Sequence, residues 1–357
     1  MDGNLKTQRR QNCAGVEAVE PRVHGGDLAE ARRLSKTLAG PLIDLSTGIN
    51  PRPYPLPPIP DDAWTALPQR DALKGLLAAA RRAYAVDPEA EVLAGPGTQS
   101  LIQALPRVCA GYGTAAIVSP TYNEHAHVWD AAEFPVEEIA DPREAVPGHH
   151  GVLVLVNPNN PDGRRWEPRD LLPLVRAMAA GGGVTIVDEA FADGAPEISL
   201  ASQAGQAGLI VLRSFGKMFG LAGLRLGFAL GDATRLAALV REIGPWAVSG
   251  PAIEVGAAAL NDSQWLADTR RDLAARRAAL DAVLAGSRLA IIGGTDLFRL
   301  VALPGAAALQ RHLAHDGIWT RAFDYEPRWL RLGLHPDESA LARLEASLAA
   351  WARRAAE

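Results

Sequence analysis

Residues 214–228 read SFGKMFGLAGLRLGF and follow the apolar run at 209–212. This stretch places a single lysine, Lys217, among glycines and apolar side chains. The chain has 36 lysines and arginines together, and its lysines are Lys6, Lys36, Lys74 and Lys217, so an ordinary cation here would be arginine. Lysine offers an amine that loses its proton when desolvated and can bond covalently to an aldehyde. Lys217 is therefore a candidate covalent anchor, with an ordinary loop lysine as the alternative.

Side chains around Lys217 are suited to binding a phosphate. Ser214 and Arg225 offer a hydroxyl and a planar guanidinium, a suitable pair for a phosphate dianion. The turn at 94–99, AGPGTQ, opens a helical pattern and brings together free backbone N–H groups and the positive end of a helix dipole. The two segments predict the halves of one phosphate site, although the glycine-rich turn alone is a weak signal.

Composition favours an enzyme that acts on small molecules. A chain of 357 residues has room for two domains and a sizeable core. Hydrophobic residues make up 48% and charged residues 22%, which is typical of a globular protein in water. The net charge of −5 and the pI near 5.9 argue against a nucleic-acid partner or a polybasic membrane surface.

The cysteines and the amino terminus predict a cytoplasmic protein. Cys13 and Cys109 lie far apart in unlike surroundings, which suggests free thiols of a reducing compartment. Residues 1–12 lack the apolar core of a signal peptide, and no run of about 18 apolar residues occurs.

Two histidine pairs raise the question of a metal site. They are His125 with His127, and His149 with His150. No carboxylate–histidine pattern in the sequence accompanies either pair, so we predict no metal.

The middle of the chain alternates strand and helix patterns. The strand candidates are apolar at nearly every position and lie at 115–119, 151–156, 183–188 and 209–212. Such runs predict a largely parallel sheet covered by helices, whose ligands gather at the carboxyl ends of its strands. Polar residues follow these strand ends at Tyr122, 157–160, Asp188 and Ser214. The segment 157–163, NPNNPDG, is also a competent turn without any ligand.

We predict three regions along the chain. Residues 1–49 form a leader and an arm that joins the smaller domain, and residues 50–245 form the larger α/β domain. Residues 246–357 form a smaller α+β domain, with a helical region over about 252–287, short strands and a terminal helix.

Three motifs in fixed order carry a resemblance to a known family. They are the lysine segment at 214–225, NPNNPDG at 157–163, and VDEAF at 187–191. Together they resemble the fold-type I pyridoxal-phosphate enzymes, the aspartate aminotransferase superfamily. The resemblance implies a mostly parallel sheet with helices on both faces, a smaller α+β domain, pyridoxal 5'-phosphate as cofactor, and a homodimer.

Further segments resemble the threonine-phosphate decarboxylases of cobalamin biosynthesis, which are related to the histidinol-phosphate aminotransferases. These segments are HGGD at 24–27, IDLSTGINP at 43–51, AGPGTQ at 94–99 and PWAVS at 245–249. The resemblance implies decarboxylation of L-threonine O-3-phosphate to (R)-1-aminopropan-2-yl phosphate. The alternative is an aminotransferase of the histidinol-phosphate type. A non-catalytic module of a transcription regulator is disfavoured, because no helix-turn-helix or basic region precedes the fold.

The resemblance also implies roles for the cofactor-side residues. Lys217 would hold the cofactor and return a proton to the substrate, and Asp188 would pair with the pyridine nitrogen. Asn160 would donate to the phenolate oxygen, and Tyr122 would stack on the ring. The residues expected to bind the cofactor phosphate are Gly97, Thr98, Gln99, Ser214 and Arg225.

Substrate residues are expected at both ends of the chain. Arg331 matches the carboxylate-binding arginine of the family, and Arg321 is the candidate for the substrate phosphate. The alternative interpretation is that both are arginines of the surface or of the edge of the core, without a role in binding. The resemblance places His24 near the substrate, whereas spacing alone favours a turn histidine. The expected substrate is a small phosphorylated amino acid.

Two positions depart from the family pattern. Phe191 stands where many relatives have a tyrosine that bonds the phenolate oxygen, which leaves Asn160 as the main donor there. Leu67-Pro68 stands where many have a tyrosine-proline that reaches the neighbouring subunit's cofactor phosphate, and Tyr54 is a candidate to compensate. The choice between decarboxylation and amino transfer depends on which substrate bond lies perpendicular to the cofactor ring.

Overall fold

A computed structural model describes residues 25–35 and 41–354. Its helices are α1 Leu28–Leu34, α2 Asp62–Thr65, α3 Arg70–Ala83, α4 Thr98–Val108, α5 Glu124–Ala131, α6 Pro168–Ala180, α7 Phe215–Met218, α8 Ala233–Ile243, α9 Gly250–Asn261, α10 Ser263–Gly286, α11 Ala306–His315 and α12 Glu338–Arg354. Its strands are β1 Ile43–Asp44, β2 Glu91–Gly95, β3 Thr114–Val118, β4 Val136–Ile139, β5 His150–Val156, β6 Val184–Asp188, β7 Leu209–Ser214, β8 Gly227–Gly231, β9 Ala290–Thr295, β10 Phe298–Ala302, β11 Ile318–Trp319, β12 Arg321–Ala322 and β13 Trp329–Gly333.

The larger sheet is mostly parallel, as the apolar runs predict. Its seven strands lie in the order β2-β8-β7-β6-β5-β3-β4, and the pairs from β7 through β4 are parallel. Every residue of β6 and β7 is buried, because helices cover both faces of the sheet. Alternate residues of each strand enter two separate cores, one with α3 and α6 and the other with α4, α5 and α8.

One strand of this sheet runs against the others. β8 pairs antiparallel with β7 on one side and with β2 on the other, so Gly227 lies opposite both Ser214 and Gly95. The amino end of β8 therefore lies at the same edge as the carboxyl ends of the parallel strands. This brings Arg225, just before β8, beside the turn that follows β2.

The helical region expected over 252–287 consists of two helices. Asp262 ends α9 and caps α10, since its carboxylate accepts a hydrogen bond from the Trp265 N–H. α9 packs along α3 of the larger unit. This packing places α9 against the larger unit. The expected domain boundary at 245/246 stays a prediction.

The carboxyl-terminal unit carries a second sheet. Its antiparallel order is β12-β13-β10-β9, with α11 and α12 nearby. The arm reaches this unit through β1, which pairs in parallel with β11, and through α1, which packs against α11.

Two remaining features bear on the sequence expectations. Within the described residues, no helix is long and apolar enough to cross a bilayer. Cys109 is a buried free thiol, and burial raises its pKa to about 12, whereas Cys13 lies outside the described residues.

A buried ionic cluster lies beneath the carboxyl edge of the larger sheet. Arg213 donates to Glu189 at 2.8 Å and also to Asp193. Glu189 accepts further hydrogen bonds from the Ser199 hydroxyl at 2.5 Å and the Leu200 N–H at 2.6 Å. Removing one partner from such a cluster leaves uncompensated buried charge.

We expect Arg213→Met to lower the free energy of unfolding by about 3–5 kcal/mol, because two buried carboxylates lose their cation. Urea titration of cofactor-free protein measures this without a contribution from ligand binding. The matched control is Arg176→Met, on the exposed face of α6, which should unfold like the parent protein. Equal stability of the two variants would contradict the importance of the cluster.

Candidate active site

A cavity of about 210 Å³ lies at the carboxyl edge of the larger sheet, against the second sheet. It brings together all of the sequence-predicted site residues that lie in the described part of the chain: Gly97, Thr98, Gln99, Tyr122, Asn160, Asp188, Ser214, Lys217, Arg225, Arg321 and Arg331. His24 lies outside the described residues, and its chain neighbour Gly25 lines the cavity. Residues separated by more than 200 positions thus meet in one site.

Lys217 enters the cavity from α7, directly after β7. Burial lowers the pKa of its amine to about 8, and the positive charge of Arg331 acts in the same direction. Its Nζ lies 5.7 Å from the centre of the Phe191 ring. The amine is thus closer to the neutral, nucleophilic form near neutral pH than an ordinary lysine.

Asp188 is held in place by two hydrogen bonds. Its Oδ1 accepts from the Ala190 N–H at 3.0 Å, and its Oδ2 lies 3.0 Å from Nε2 of His125. Both side chains are buried, so this carboxylate has a fixed orientation at the cavity wall. From the sequence, His125 is a candidate only for a metal ligand, and its contact with Asp188 was not predicted. No local spacing records this contact, because His125 and Asp188 lie 63 positions apart.

Arg331 connects the substrate side of the cavity to Asn160. Its Nη1 donates to Asn160 Oδ1 at 2.5 Å, and its Nη2 donates to the Ser46 carbonyl at 2.7 Å. Because the Asn160 oxygen accepts this hydrogen bond, its amide N–H₂ group would be the end available to donate to a ligand. The buried Nε of Arg331 has no hydrogen-bond partner among the described residues.

The predicted phosphate-binding residues surround the start of α4. Gly97 has a φ of +82°, which favours glycine, and a Cβ there would lie 2.7 Å from Nη2 of Arg225 and displace the guanidinium. Arg225 itself has a φ of 55°, in the left-handed region that costs a non-glycine residue energy. Ser214 ends β7 beside them. Hydroxyl, guanidinium and helix N-terminus thus converge as a phosphate requires.

Arg321 and Arg331 occupy directly opposite positions on β12 and β13. Directly opposed residues of an antiparallel pair project to the same face, and here both side chains line the cavity. Burial lowers the pKa of both guanidinium groups, and Arg321 lowers that of Arg331 further. Like charges in this arrangement are destabilising unless an anion lies between or beside them.

The two departures from the family pattern have structural consequences. Phe191 lines the cavity and contacts Phe298 edge to face, so it offers no hydroxyl to a ligand. Tyr54 does not line the cavity: its ring contacts Trp265, and its hydroxyl lies 3.4 Å from Asp262. The contact suggested for Tyr54 is with a neighbouring subunit's site, so that compensation stays a prediction. Leu67 is exposed.

The histidine pair at 149–150 requires a correction. Contrary to the expectation that no carboxylate accompanies the pair, Glu137 oxygens lie 3.0 Å from Nε2 of each ring. In the described part of the chain, this is the one group of three side chains suited to a metal. However, Nδ1 of His150 accepts the Val146 N–H at 2.8 Å, which places the proton of the neutral ring on Nε2. That nitrogen then donates to Glu137 and has no lone pair for a metal.

Comparison with known proteins identifies the family. A sequence model of aminotransferase class I and II matches residues 66–348. The chain belongs to the aminotransferase class I and II family. The fold is that of fold-type I enzymes, with the mixed, mostly parallel sheet and the smaller antiparallel sheet described above.

Named members of this family cover nearly the whole chain. A threonine-phosphate decarboxylase from a Sinorhizobium species is 46% identical over 331 residues, 92% of this chain and 98% of the relative. One from Pseudomonas aeruginosa is 46% identical over 326 residues, 91% of this chain and 96% of the relative. The solved histidinol-phosphate aminotransferase of Sinorhizobium meliloti in complex with pyridoxal-5'-phosphate superposes with a TM-score of 0.77 at 19% identity, covering 96% of this chain and 98% of that one.

The lowered pKa of Lys217 sets the pH at which its amine can bond to an aldehyde. We expect attachment of pyridoxal phosphate to cofactor-free protein to accelerate as pH rises through about 8, because the amine is neutral above its pKa. An unperturbed lysine would give a midpoint of about 10.4. Stopped-flow absorbance measures the rate.

Arg331→Met removes a charge that lowers this pKa and should move the midpoint upward. Arg328→Met, an exposed arginine on the same hairpin, should leave it in place. An unchanged midpoint in Arg331→Met would show that this charge does not tune the lysine.

Proposed function

We propose that this protein is a pyridoxal-phosphate-dependent decarboxylase that converts L-threonine O-3-phosphate to (R)-1-aminopropan-2-yl phosphate, a step of cobalamin biosynthesis. The two relatives named threonine-phosphate decarboxylase, each 46% identical over more than nine-tenths of this chain, support the substrate and the reaction. The cofactor is supported by the cavity, which combines a buried lysine of lowered pKa, a fixed carboxylate and a phosphate-binding helix N-terminus.

The paired arginines Arg321 and Arg331 carry the choice of substrate. Four cationic side chains line the cavity, whereas Asp188 is the one carboxylate among its described lining residues. The cofactor phosphate accounts for the charge near Arg225. The cross-strand arginine pair remains, and it suits a substrate with two further anionic groups. O-Phospho-threonine has both a carboxylate and a phosphate attached to a short carbon skeleton.

The residues divide the chemical work as follows. Bound pyridoxal phosphate supplies a protonated ring that takes up the electron pair left when carbon dioxide departs. Asp188, oriented by His125, would keep the ring nitrogen protonated. Arg331 would hold the substrate carboxylate, and its unpartnered Nε suits one of the carboxylate oxygens. Arg321 would bind the substrate phosphate. The bond between the α-carbon and the carboxyl carbon breaks, carbon dioxide leaves, and the Lys217 amine would deliver one proton to the α-carbon.

Protein loaded with pyridoxal phosphate should release one carbon dioxide per O-phospho-L-threonine consumed. Lys217→Ala should abolish both the borohydride-reducible yellow chromophore and carbon dioxide release, because the covalent anchor is gone. Carbon dioxide capture and product analysis check this. Glutamate formation from 2-oxoglutarate and histidinol phosphate, with no carbon dioxide released from O-phospho-threonine, would instead favour the aminotransferase.

Arg321→Met should raise KM for O-phospho-threonine by about 10- to 100-fold, since a charged hydrogen bond contributes about 1.5–3 kcal/mol. The exposed Arg328→Met on the same hairpin is the matched control and should keep the parent KM. A KM that responds equally to both changes would remove Arg321 from the substrate site.

We also propose that the protein is a homodimer in the cytoplasm without a nucleic-acid partner. Four large apolar side chains are strongly exposed on segments near the contact between α2 and α9: Leu56 at 62%, Trp64 at 66%, Leu67 at 60% and Trp246 at 61%. Exposed apolar side chains of this size are typical of protein interfaces. The net charge of −5 supports the absence of a nucleic-acid partner.

Light scattering should give twice the chain mass of 37.8 kDa. Trp64→Glu should shift the protein toward the monomer, because it places a charge in an apolar interface. Ile292→Glu changes an exposed apolar residue on β9, away from these segments, and should remain dimeric. A monomeric parent protein would refute the dimer.

A further inference from the structure

A buried carboxylate lies behind the wall of the cavity, at the first residue of α5. Glu124 is 6% exposed, and its Oε2 accepts a hydrogen bond from the Gln99 side-chain Nε2 at 2.9 Å. The other end of the same amide, Gln99 Oε1, accepts from the Tyr122 hydroxyl at 3.0 Å. Glu124 itself does not line the cavity, whereas Gln99 and Tyr122 do.

The direction of these two hydrogen bonds is set by Glu124. An ionised carboxylate can only accept, so the N–H₂ end of the Gln99 amide must face it. The carbonyl end of Gln99 is then turned toward Tyr122. Burial raises the pKa of Tyr122 to about 12, and the charges of Glu124 and Asp188 raise it as well, so its hydroxyl stays protonated and donates.

An amide with its two ends reversed would present N–H₂ to the tyrosine hydroxyl and a carbonyl to the carboxylate. The second contact places two acceptors face to face, which is repulsive. Glu124 therefore selects one orientation of Gln99. Since the side chain of Gln99 is committed to these partners, its part in phosphate binding falls to its backbone N–H, at the start of α4.

We propose that Glu124 is a positioning residue, which orients the Gln99 amide and through it fixes the Tyr122 ring against the bound cofactor. This inference rests on the proposed cofactor, because the ring of Tyr122 is expected to stack on pyridoxal phosphate. The same first turn of α5 carries His125, which holds Asp188 at 3.0 Å. One helix start thereby positions two contacts to the cofactor, one through Tyr122 and one through Asp188.

A purely structural role for Glu124 makes a different prediction. An acidic side chain in the first turn of a helix interacts favourably with the helix dipole, whatever it touches. Glu124→Asp keeps that charge but is shorter by one methylene and loses reach to Gln99. Glu124→Gln keeps the reach but loses the acceptor-only character. The two variants therefore distinguish two roles of Glu124: the hydrogen-bond relay from Glu124 through Gln99 to Tyr122, and a favourable interaction with the helix dipole.

The experiment measures the dissociation constant for pyridoxal phosphate and the visible circular dichroism of the bound cofactor, which reports how the ring is held. Both Glu124→Gln and Glu124→Asp should weaken cofactor binding about three- to tenfold, as expected for one lost hydrogen bond. Both should also reduce the visible dichroism. Melting temperature is measured in parallel, and a dipole role predicts that Glu124→Asp behaves as the parent protein in all three.

Tyr122→Phe supplies the double-mutant cycle. It removes the hydroxyl through which the relay acts, so adding Glu124→Gln to it should cause no further loss of cofactor affinity. Additive losses, or parent-like binding and dichroism in both Glu124 variants, would overturn the relay. If the unmodified protein forms no chromophore at all, the cofactor proposal itself fails, and the relay fails with it.

Discussion

The concentration of positive charge in one cavity is the constraint on which the site depends. Lys217, Arg225, Arg321 and Arg331 line it, opposed by Asp188 as the one described lining carboxylate. Burial makes this arrangement costly, as the lowered pKa values of Lys217 and Arg331 indicate. Anionic ligands relieve that cost, so the same charges that weaken the empty protein favour phosphate and carboxylate groups. The lowered pKa of Lys217 results from burial and from these neighbouring positive charges. The same lowered pKa makes its amine a better nucleophile.

The larger sheet brings these charges together because of the direction of one strand. Parallel strands place Asp188 and Ser214 at a common edge. A parallel β8 would have carried Arg225 to the opposite edge, about one strand length away. Its antiparallel direction instead puts Arg225 beside Gly97, where a side chain on residue 97 would collide with the guanidinium. The second sheet then contributes Arg321 and Arg331 as neighbours across two strands.

Sequence patterns predicted the strands and site segments that consist of consecutive apolar residues or of a contiguous motif. The apolar runs at 151–156 and 183–188 correspond to β5 and β6. Relations between distant residues were not predictable in this way. Gly227–Gly231 was missed as a strand, since glycines at both ends hide its pattern and its partners lie far along the chain. Glu137 meets His149 and His150 only through the pairing of β4, β3 and β5, which no local spacing records.

The absence of a tyrosine hydroxyl at position 191 gives Asn160 unusual weight in this site. Phe191 cannot donate to a cofactor oxygen, so the amide of Asn160 is the remaining side chain assigned to that contact. The same amide is held by Arg331 at 2.5 Å, and Arg331 is also the expected carboxylate ligand. A substrate carboxylate bound to this guanidinium would therefore also affect the Asn160 amide, the proposed donor to the cofactor oxygen. With the proposed roles of Asn160 and Arg331, substrate binding would change the hydrogen bonding of the cofactor oxygen through one arginine, because Phe191 provides no alternative hydroxyl donor.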